Sequence, residues 1–266
     1  MSQSSNELLQ SKNQGLLTLT FNRPERRNAL SSELCFALVE ALRRAAVDPE
    51  VRAVLLLGSG GYFCVGGDVT AMAAGSSADI PPSQRAMELR DRMEASRLLH
   101  DMPKPTVACI RGAAAGAGLS IAMACDLRVA SDTAKITTAF AKVGLSGDFG
   151  GTYFMTKLLG SARARELYLT SPVLSGAQAH ALGLVTRVVP DAEVEAAATD
   201  LARSLADGPS ATLGYMKQNL NAAEHNSLAD CLDGEAMRHI QCAQTDDHKE
   251  AATAFVAKRP PKFVGH

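Results

Sequence analysis

An apolar run without alternation, Ala-Val-Leu-Leu-Leu at 53–57, is the feature that most limits what this chain can fold into. A strand with one face in water alternates apolar and polar residues, whereas a parallel strand covered on both faces is apolar throughout. A second short strand is predicted at 106–110, just after two prolines that end a helix. Helical patterns separate these strands from their neighbours, which predicts an α/β fold.

Strands and helices follow one another up to Pro190, and beyond it the pattern is almost wholly helical. The length of 266 residues suits one large domain or one domain with an appendage. We therefore predict a βα-rich core over residues 1–190 and a C-terminal helical region over residues 191–266. A small, polar, proline-containing segment at 70–83 is predicted to be a mobile surface loop.

The charge and the cysteines exclude several classes of protein. A net charge of -1 argues against a nucleic-acid binder that depends on a general positive field. Residues 1–15 are polar and do not resemble a secretion or transit signal, and no apolar run approaches the roughly 20 residues of a membrane span. The six cysteines form no CxxC pair and the histidines no metal-binding spacing. We expect a cytoplasmic protein without a membrane partner, a nucleic-acid partner or a metal.

Glycine-rich turns invite a nucleotide-binding interpretation, but none of them fits it. The turn at 58–63 has Phe63 where the third glycine of a dinucleotide fingerprint belongs, and no turn carries the Gly-Lys-Ser/Thr of a P-loop. The GxSxG elbow of an α/β-hydrolase is also absent.

Two of these turns are candidates for a different kind of site. The first is FCVGGD at 63–68, and the second is RGAAAGAG at 111–118, which opens a predicted helix. Small side chains let backbone approach a ligand closely, and free N–H groups at a helix start bind negative charge. Two such turns facing each other could hold an oxyanion. The alternative is that they simply pack tightly together.

Four motifs in order resemble the crotonase family, also called the enoyl-CoA hydratase/isomerase superfamily. They are NRPERRNAL at 22–30, FCVGGDV at 63–69, RGAAAGAGLSIAMACDLRVAS at 111–131 and FAKVGLSGDFGGT at 140–152. The resemblance implies a spiral of ββα repeats with C-terminal helices that form a homotrimer or hexamer. It also implies an oxyanion hole made by two backbone N–H groups, which fall on Gly67 and Ala117. Ala117 departs from the usual glycine, but its N–H donates equally well.

The resemblance further implies an acyl-CoA substrate. Coenzyme A is then part of the substrate, and no separate cofactor is expected. The positions that correspond to coenzyme A contacts are Arg26, Arg27, Ala29, Gly67, Asp68, Val69 and, in the C-terminal region, Lys258.

The motifs indicate the substrate class more clearly than they indicate the reaction. Hydratases of this family use two glutamates, but the corresponding positions here are Ser120 and Phe140. Asp148 is the carboxylate that remains, and its motif resembles the isomerase branch of the family. The resemblance implies an enoyl-CoA isomerase with Asp148 as acid and base. A hydratase with Asp148 alone, a non-catalytic coenzyme A-binding subunit and a purely structural turn residue at 148 stay open.

Overall fold

A computed structural model describes residues 7–69 and 80–266, and its main feature is a six-stranded sheet. In chain order its strands are β1 (Leu8–Asn13), β2 (Leu16–Phe21), β3 (Ala53–Gly58), β4 (Thr106–Ile110), β6 (Leu127–Ser131) and β8 (Arg187–Val189). The strands lie side by side in this same order. The β1 strand is antiparallel to β2, and every other pair is parallel.

A second sheet holds two parallel strands, β5 (Ala113–Ala115) and β7 (Lys135–Thr137). The chain therefore alternates between the two sheets. Strands β4 and β6 lie in the large sheet, and the strands that follow them, β5 and β7, lie in the small one. A helix follows each pair, α3 (Ala117–Ala124) after β5 and α4 (Gly151–Thr170) after β7. The predicted α/β class with ββα repeats is confirmed.

Seven further helices complete the described chain. They are α1 (Ser32–Val47), α2 (Pro82–Asp101), α5 (Gly176–Ala181), α6 (Val194–Ala206), α7 (Ser210–Ala223), α8 (Leu228–Ala243) and α9 (Asp246–Val256). The side chain of Ser31 caps α1, and Ser175 with Gln178 forms the capping box of α5 that their spacing in the sequence predicts. The sequence pattern predicts that α4 ends at 159, but the helix continues, because Gly160 adopts a φ of 75° and lets the chain turn and resume its helix.

Strand β3 shows why its sequence does not alternate. Val54 and Leu56 pack into a cluster with α1, whereas Leu55 and Leu57 pack into a second cluster with α6 on the opposite face. Both faces are therefore covered, as the apolar run predicted. Helix α6 shares the core of the sheet although it lies within the predicted C-terminal helical region. The division of the chain at 190/191 stays a prediction.

Strand β1 was not predicted from the sequence. It forms the edge of the sheet, and of its six residues only Leu8 is buried. An edge strand with exposed side chains lacks the apolar pattern that reveals a strand. The turn to β2 runs through Gln14 and Gly15, both at positive φ.

A partly buried ion pair fixes α7 to the core, with the Lys217 side chain 6% exposed and that of Asp126 27% exposed. The Lys217 ammonium donates to Asp126 Oδ2 at 2.8 Å and to the carbonyl oxygens of Leu99 and Lys104 at 2.7 and 3.1 Å. Asp126 in turn accepts from the backbone N–H and the hydroxyl of Thr106, at 2.7 and 2.9 Å. The pair therefore joins the end of α2, the start of β4 and the C-terminal helices.

Most of the predicted mobile loop at 70–83 lies outside the described residues, and its last residues, Pro82 and Ser83, begin α2. Among residues 7–69 and 80–266, no helix has the length and apolar character needed to cross a bilayer.

Replacing Lys217 by methionine should lower the free energy of unfolding by about 2–4 kcal/mol, because Asp126 keeps its charge without its partner. Denaturant unfolding measures this difference. The matched control is Lys249→Met, which removes an exposed pair with Asp246 (side chains 68% and 67% exposed) and should change stability by less than about 0.5 kcal/mol. Equal effects of the two substitutions would contradict the anchoring role of Lys217.

Candidate active site

The two predicted glycine-rich turns lie directly against each other. The backbone N–H of Cys64 donates to Ala113 O, and that of Ala115 donates to Cys64 O, both at 3.0 Å. A Cβ atom added to Gly66 would stand 2.7 Å from Ala115 O and 3.3 Å from Ala117 N. Only a residue without a side chain permits this approach, which also suits the φ of 89° at Gly66.

The start of α3 packs against the same turn. A Cβ on Gly118 would overlap Cys64 O and would stand 2.8 Å from the Cys64 sulfur. Cys64 is fully buried, and burial raises the pKa of its thiol to about 12. The side chain therefore stays a neutral thiol that packs between the turns, which argues against a nucleophilic role.

The N–H groups of Gly67 and Ala117 are both available for a ligand. Ala117 is the first residue of α3, and no side chain caps this helix, so its N–H lacks a helical acceptor. Gly67 bridges to Leu30, but the bridge uses the neighbouring carbonyl, because Leu30 N donates to Gly66 O at 2.8 Å. Over residues 7–69 and 80–266, no hydrogen bond in the structure engages either N–H. The contact at Gly66 places these donors on adjoining turns.

Asp148 lies on the turn that precedes α4. Its Oδ1 atom is buried and has no hydrogen-bond partner in the described part of the chain. Burial raises the pKa of this carboxyl to about 6, and the charge of Arg92 on α2 offsets part of the increase. The next residue, Phe149, holds a strained φ of 49° and is only 3% exposed. An unpartnered carboxyl on a strained, buried turn is typical of a functional group.

Ser120 and Phe140 stand at the two positions where the resemblance places glutamates. The Ser120 hydroxyl is buried and donates to Gly116 O at 3.2 Å. The ring of Phe140 stacks on Tyr168 with centroids 6.0 Å apart. A Cβ on Gly151 would overlap both Ser120 Oγ and the Tyr168 hydroxyl, which shows how close these two groups lie. Burial raises the pKa of Tyr168 to about 12, so the phenol stays neutral.

Six of the residues predicted to contact coenzyme A, Gly67 among them, lie around the first turn. Arg26 and Arg27 are exposed, Ala29 is buried, and Val69 is 55% exposed. The carboxylate of Asp68 lies 3.4 Å from the Arg23 guanidinium.

Asn28 holds this turn in place and was not predicted. It has a φ of 57°, its Oδ1 accepts from Arg23 N at 2.8 Å, and its Nδ2 donates to Tyr62 O at 2.7 Å. An asparagine in a turn is the signal that could have revealed it, because asparagine tolerates positive φ.

Lys258 lies immediately after α9, with a φ of 52° and an exposed side chain. No hydrogen bond or ion pair in the described structure joins it to the other predicted residues, and its contact with coenzyme A stays a prediction. Arg92 and Tyr168 next to Asp148 were also not predicted, because they lie on other helices and carry no local signal.

A family model described as "Enoyl-CoA hydratase/isomerase" matches residues 11–266. The 1,2-epoxyphenylacetyl-CoA isomerase of Escherichia coli K12 is 38% identical over 251 residues, which cover 94% of this chain and 95% of the relative. The mitochondrial enoyl-CoA hydratase domain-containing protein 2 of Bos taurus is 39% identical and covers 95% of this chain and 86% of its own. The crystal structure of an enoyl-CoA hydratase from Polaromonas sp. JS666 superposes with a TM-score of 0.90 at 32% identity, over 96% of this chain and 99% of that one.

The Asp148→Asn variant should be more stable than the wild type at pH 8. The folded pKa of about 6 lies above the ordinary 3.8, so the wild type loses stability as the pH rises from 3.8 through 6, and an amide does not. We expect a gain at pH 8 of about 1 kcal/mol, reduced from the full shift because Asp148 is partly exposed.

That gain corresponds to about 2–4 °C in melting temperature and should shrink at pH 4.5. Asp91→Asn, on the exposed face of α2, is the matched control, and its effect on stability should stay within about 0.5 kcal/mol. A gain that is equal at both pH values would contradict the buried-carboxyl interpretation.

Proposed function

The chain belongs to the enoyl-CoA hydratase/isomerase family, and on that premise we propose that it is an enoyl-CoA isomerase. The proposed oxyanion hole consists of the N–H groups of Gly67 and Ala117, and Asp148 is the proposed acid and base. The Asp148 carboxyl carries the proposal, because its unpartnered Oδ1 and its pKa of about 6 suit a group that gives and takes a proton near neutral pH.

The reaction needs only these groups. The Asp148 carboxylate removes a proton from C2 of a 3-enoyl thioester, and the electron pair moves onto the thioester oxygen. The two N–H groups stabilise the resulting dienolate, and the dipole of α3 adds to them. The protonated Asp148 then returns the proton to C4, which gives the 2-enoyl thioester with its atoms unchanged in number.

Isomerisation agrees with the groups around Asp148 better than hydration does. A two-carboxylate hydratase needs a second acid to manage water, and Ser120 and Phe140 stand at those positions. A relative named for isomerisation covers nearly the whole chain. Because another relative is named an enoyl-CoA hydratase domain-containing protein, a hydratase that uses Asp148 alone is the second candidate. The third is a subunit that binds coenzyme A thioesters without turning them over.

Coenzyme A is proposed to bind along the first turn, by Arg26, Arg27, Ala29, Gly67, Asp68 and Val69. The exposed arginines there can meet phosphate groups. We also propose assembly into a homotrimer or hexamer, which could bring Lys258 to a neighbouring subunit. Large apolar residues on the C-terminal helices support assembly, since Leu220 and Leu228 are 70% and 75% exposed. The cytoplasmic location stays a prediction.

Product analysis by chromatography and mass spectrometry tests the proposal. A 3-enoyl-CoA and a 2-enoyl-CoA, offered separately, should interconvert without a change of mass. Asp148→Asn should lower kcat by about 10²–10⁴-fold and leave coenzyme A affinity intact, whereas the control Asp91→Asn should keep full activity. A product heavier by one water would indicate the hydratase, and binding without turnover over a broad panel would indicate the silent subunit.

A proline at 117 tests the oxyanion hole while keeping the helix. Proline is tolerated at the first position of a helix but has no N–H, so Ala117→Pro should lower kcat by about 10²–10³-fold with little change in circular dichroism. Asp246→Pro makes the same substitution at the first residue of α9, where Asp246 has an exposed pair with Lys249, and should retain activity. Full activity of Ala117→Pro would exclude its N–H from the reaction.

A further inference from the structure

A cleft of ≈ 600 Å³ opens beside the Asp148 turn. Its walls come from three helices: α2, the start of α4 and the end of α7. Gly150 belongs to its lining and stands two residues after Asp148. A Cβ on Gly150 would stand 2.9 Å from the ring of Phe154, which also lines the cleft. The cleft therefore reaches the Asp148 turn at Gly150.

The position of the cleft determines what can enter it. In the proposed reaction the thioester oxygen lies at the N–H groups of Gly67 and Ala117, and carbons 2 to 4 lie at Asp148. Atoms beyond C4 must continue into open space next to the Asp148 turn. The cleft past Gly150 supplies that space.

The floor of the cleft carries a hydroxyl group without a partner. Ser96 is 4% exposed, and its Oγ has no hydrogen-bond partner in the described part of the chain. Phe154 and Met93 line the cleft beside it. A buried hydroxyl among apolar side chains loses its hydrogen bonds to water unless a ligand replaces them.

A hydrogen-bonded tyrosine, Tyr153, forms one wall. The Tyr153 hydroxyl donates to the Glu224 carboxylate, and His225 Nε2 lies 2.7 Å from the same hydroxyl. Burial and the hydrogen bond to Glu224 both raise the pKa of Tyr153, so the phenol keeps its proton. The Tyr153 hydroxyl therefore uses its proton in the hydrogen bond to Glu224.

The charged groups at the rim are neutralised by one another. Glu94 pairs with Arg90 and Arg97, at 3.3 and 2.5 Å. Arg97 also pairs with Asp101 at 2.8 Å.

The remaining carboxylate, that of Glu224, accepts from Tyr153 and lies 3.9 and 4.0 Å from His100 and His225, which line the cleft. With these charges partnered, the cleft suits an uncharged group better than a carboxylate or an amine.

We propose that this cleft selects enoyl-CoA thioesters whose acyl group extends beyond the reacting carbons and carries an uncharged oxygen, which accepts a hydrogen bond from the Ser96 hydroxyl. The inference rests on the proposed function, because that function places the reacting carbons at Asp148. It deepens that function by naming the class of acyl group.

The test compares 3-enoyl-CoAs of equal length with and without an ether oxygen in place of one distal methylene. Several ether positions are made, and 3-butenoyl-CoA serves as the substrate without a distal part. The wild type should prefer one ether position by about three- to tenfold in kcat/KM, the worth of one neutral hydrogen bond. Ser96→Ala should abolish this preference and leave kcat/KM for the all-carbon substrate and 3-butenoyl-CoA unchanged.

A second pair of variants tests the space itself. Ala222 lines the cleft, so Ala222→Trp should lower kcat/KM for the long substrates at least tenfold and spare 3-butenoyl-CoA. Ala223→Trp, one residue further along and outside the lining, is the matched control and should leave all substrates unchanged. No ether preference in the wild type, an equal loss on every substrate in Ser96→Ala, or no length dependence in Ala222→Trp would overturn the proposal.

Binding of unreactive analogues separates the failure of this inference from that of the proposed function. Octanoyl-CoA and its ether analogues cannot isomerise, and calorimetry measures their affinity directly. Weaker binding of one ether analogue alone in Ser96→Ala supports the cleft even if no enoyl-CoA is turned over. Affinities that do not respond to Ser96→Ala or Ala222→Trp overturn the cleft even if the isomerase reaction is found.

Discussion

The close approach of two backbone turns is the constraint on which the candidate site depends. Gly66 and Gly118 stand where any side chain would strike the opposite turn, and the hydrogen bonds of Cys64 to Ala113 and Ala115 fix their register. Because of this contact, the N–H groups of Gly67 and Ala117 lie on adjoining turns. Dipoles that are already oriented need no rearrangement when negative charge develops on a ligand, which is why such a geometry is effective. The ββα repeats serve to hold these turns, since the second turn contains β5 and opens α3.

The features that suit Asp148 to its proposed role also lower the stability of the fold. Its burial disfavours the ionised form, and the left-handed backbone of Phe149 adds strain next to it. The surrounding structure offsets these costs through the buried ring of Phe149 and the stacked rings of Phe140 and Tyr168. In the proposed reaction one carboxyl acts as both acid and base, because a serine and a phenylalanine stand where the resemblance places glutamates. That arrangement suits the movement of a proton within one substrate better than the addition of water.

Much of the fold could be predicted from local sequence patterns. The apolar run of β3 predicted a strand covered on both faces, the spacing of Ser175 and Gln178 predicted the cap of α5, and the glycine-rich turns indicated close backbone approach. Features set by distant residues could not be predicted in this way. Strand β1 pairs through its backbone while its side chains face outward, so no periodicity revealed it. The charge of Arg92 acts on Asp148 from another part of the chain, and the bond of Lys217 to Asp126 spans 91 positions of the chain.

Isotope transfer within the substrate tests the central claim, that one carboxyl removes and returns the same proton. A 3-enoyl-CoA with deuterium at C2 is converted in ordinary water, and the 2-enoyl product is analysed by mass spectrometry and proton NMR. The account predicts that part of the deuterium appears at C4, because Asp148 holds the abstracted deuteron in a partly buried site before it returns it. Conversion without deuterium at C4, even at the earliest times, would contradict the account.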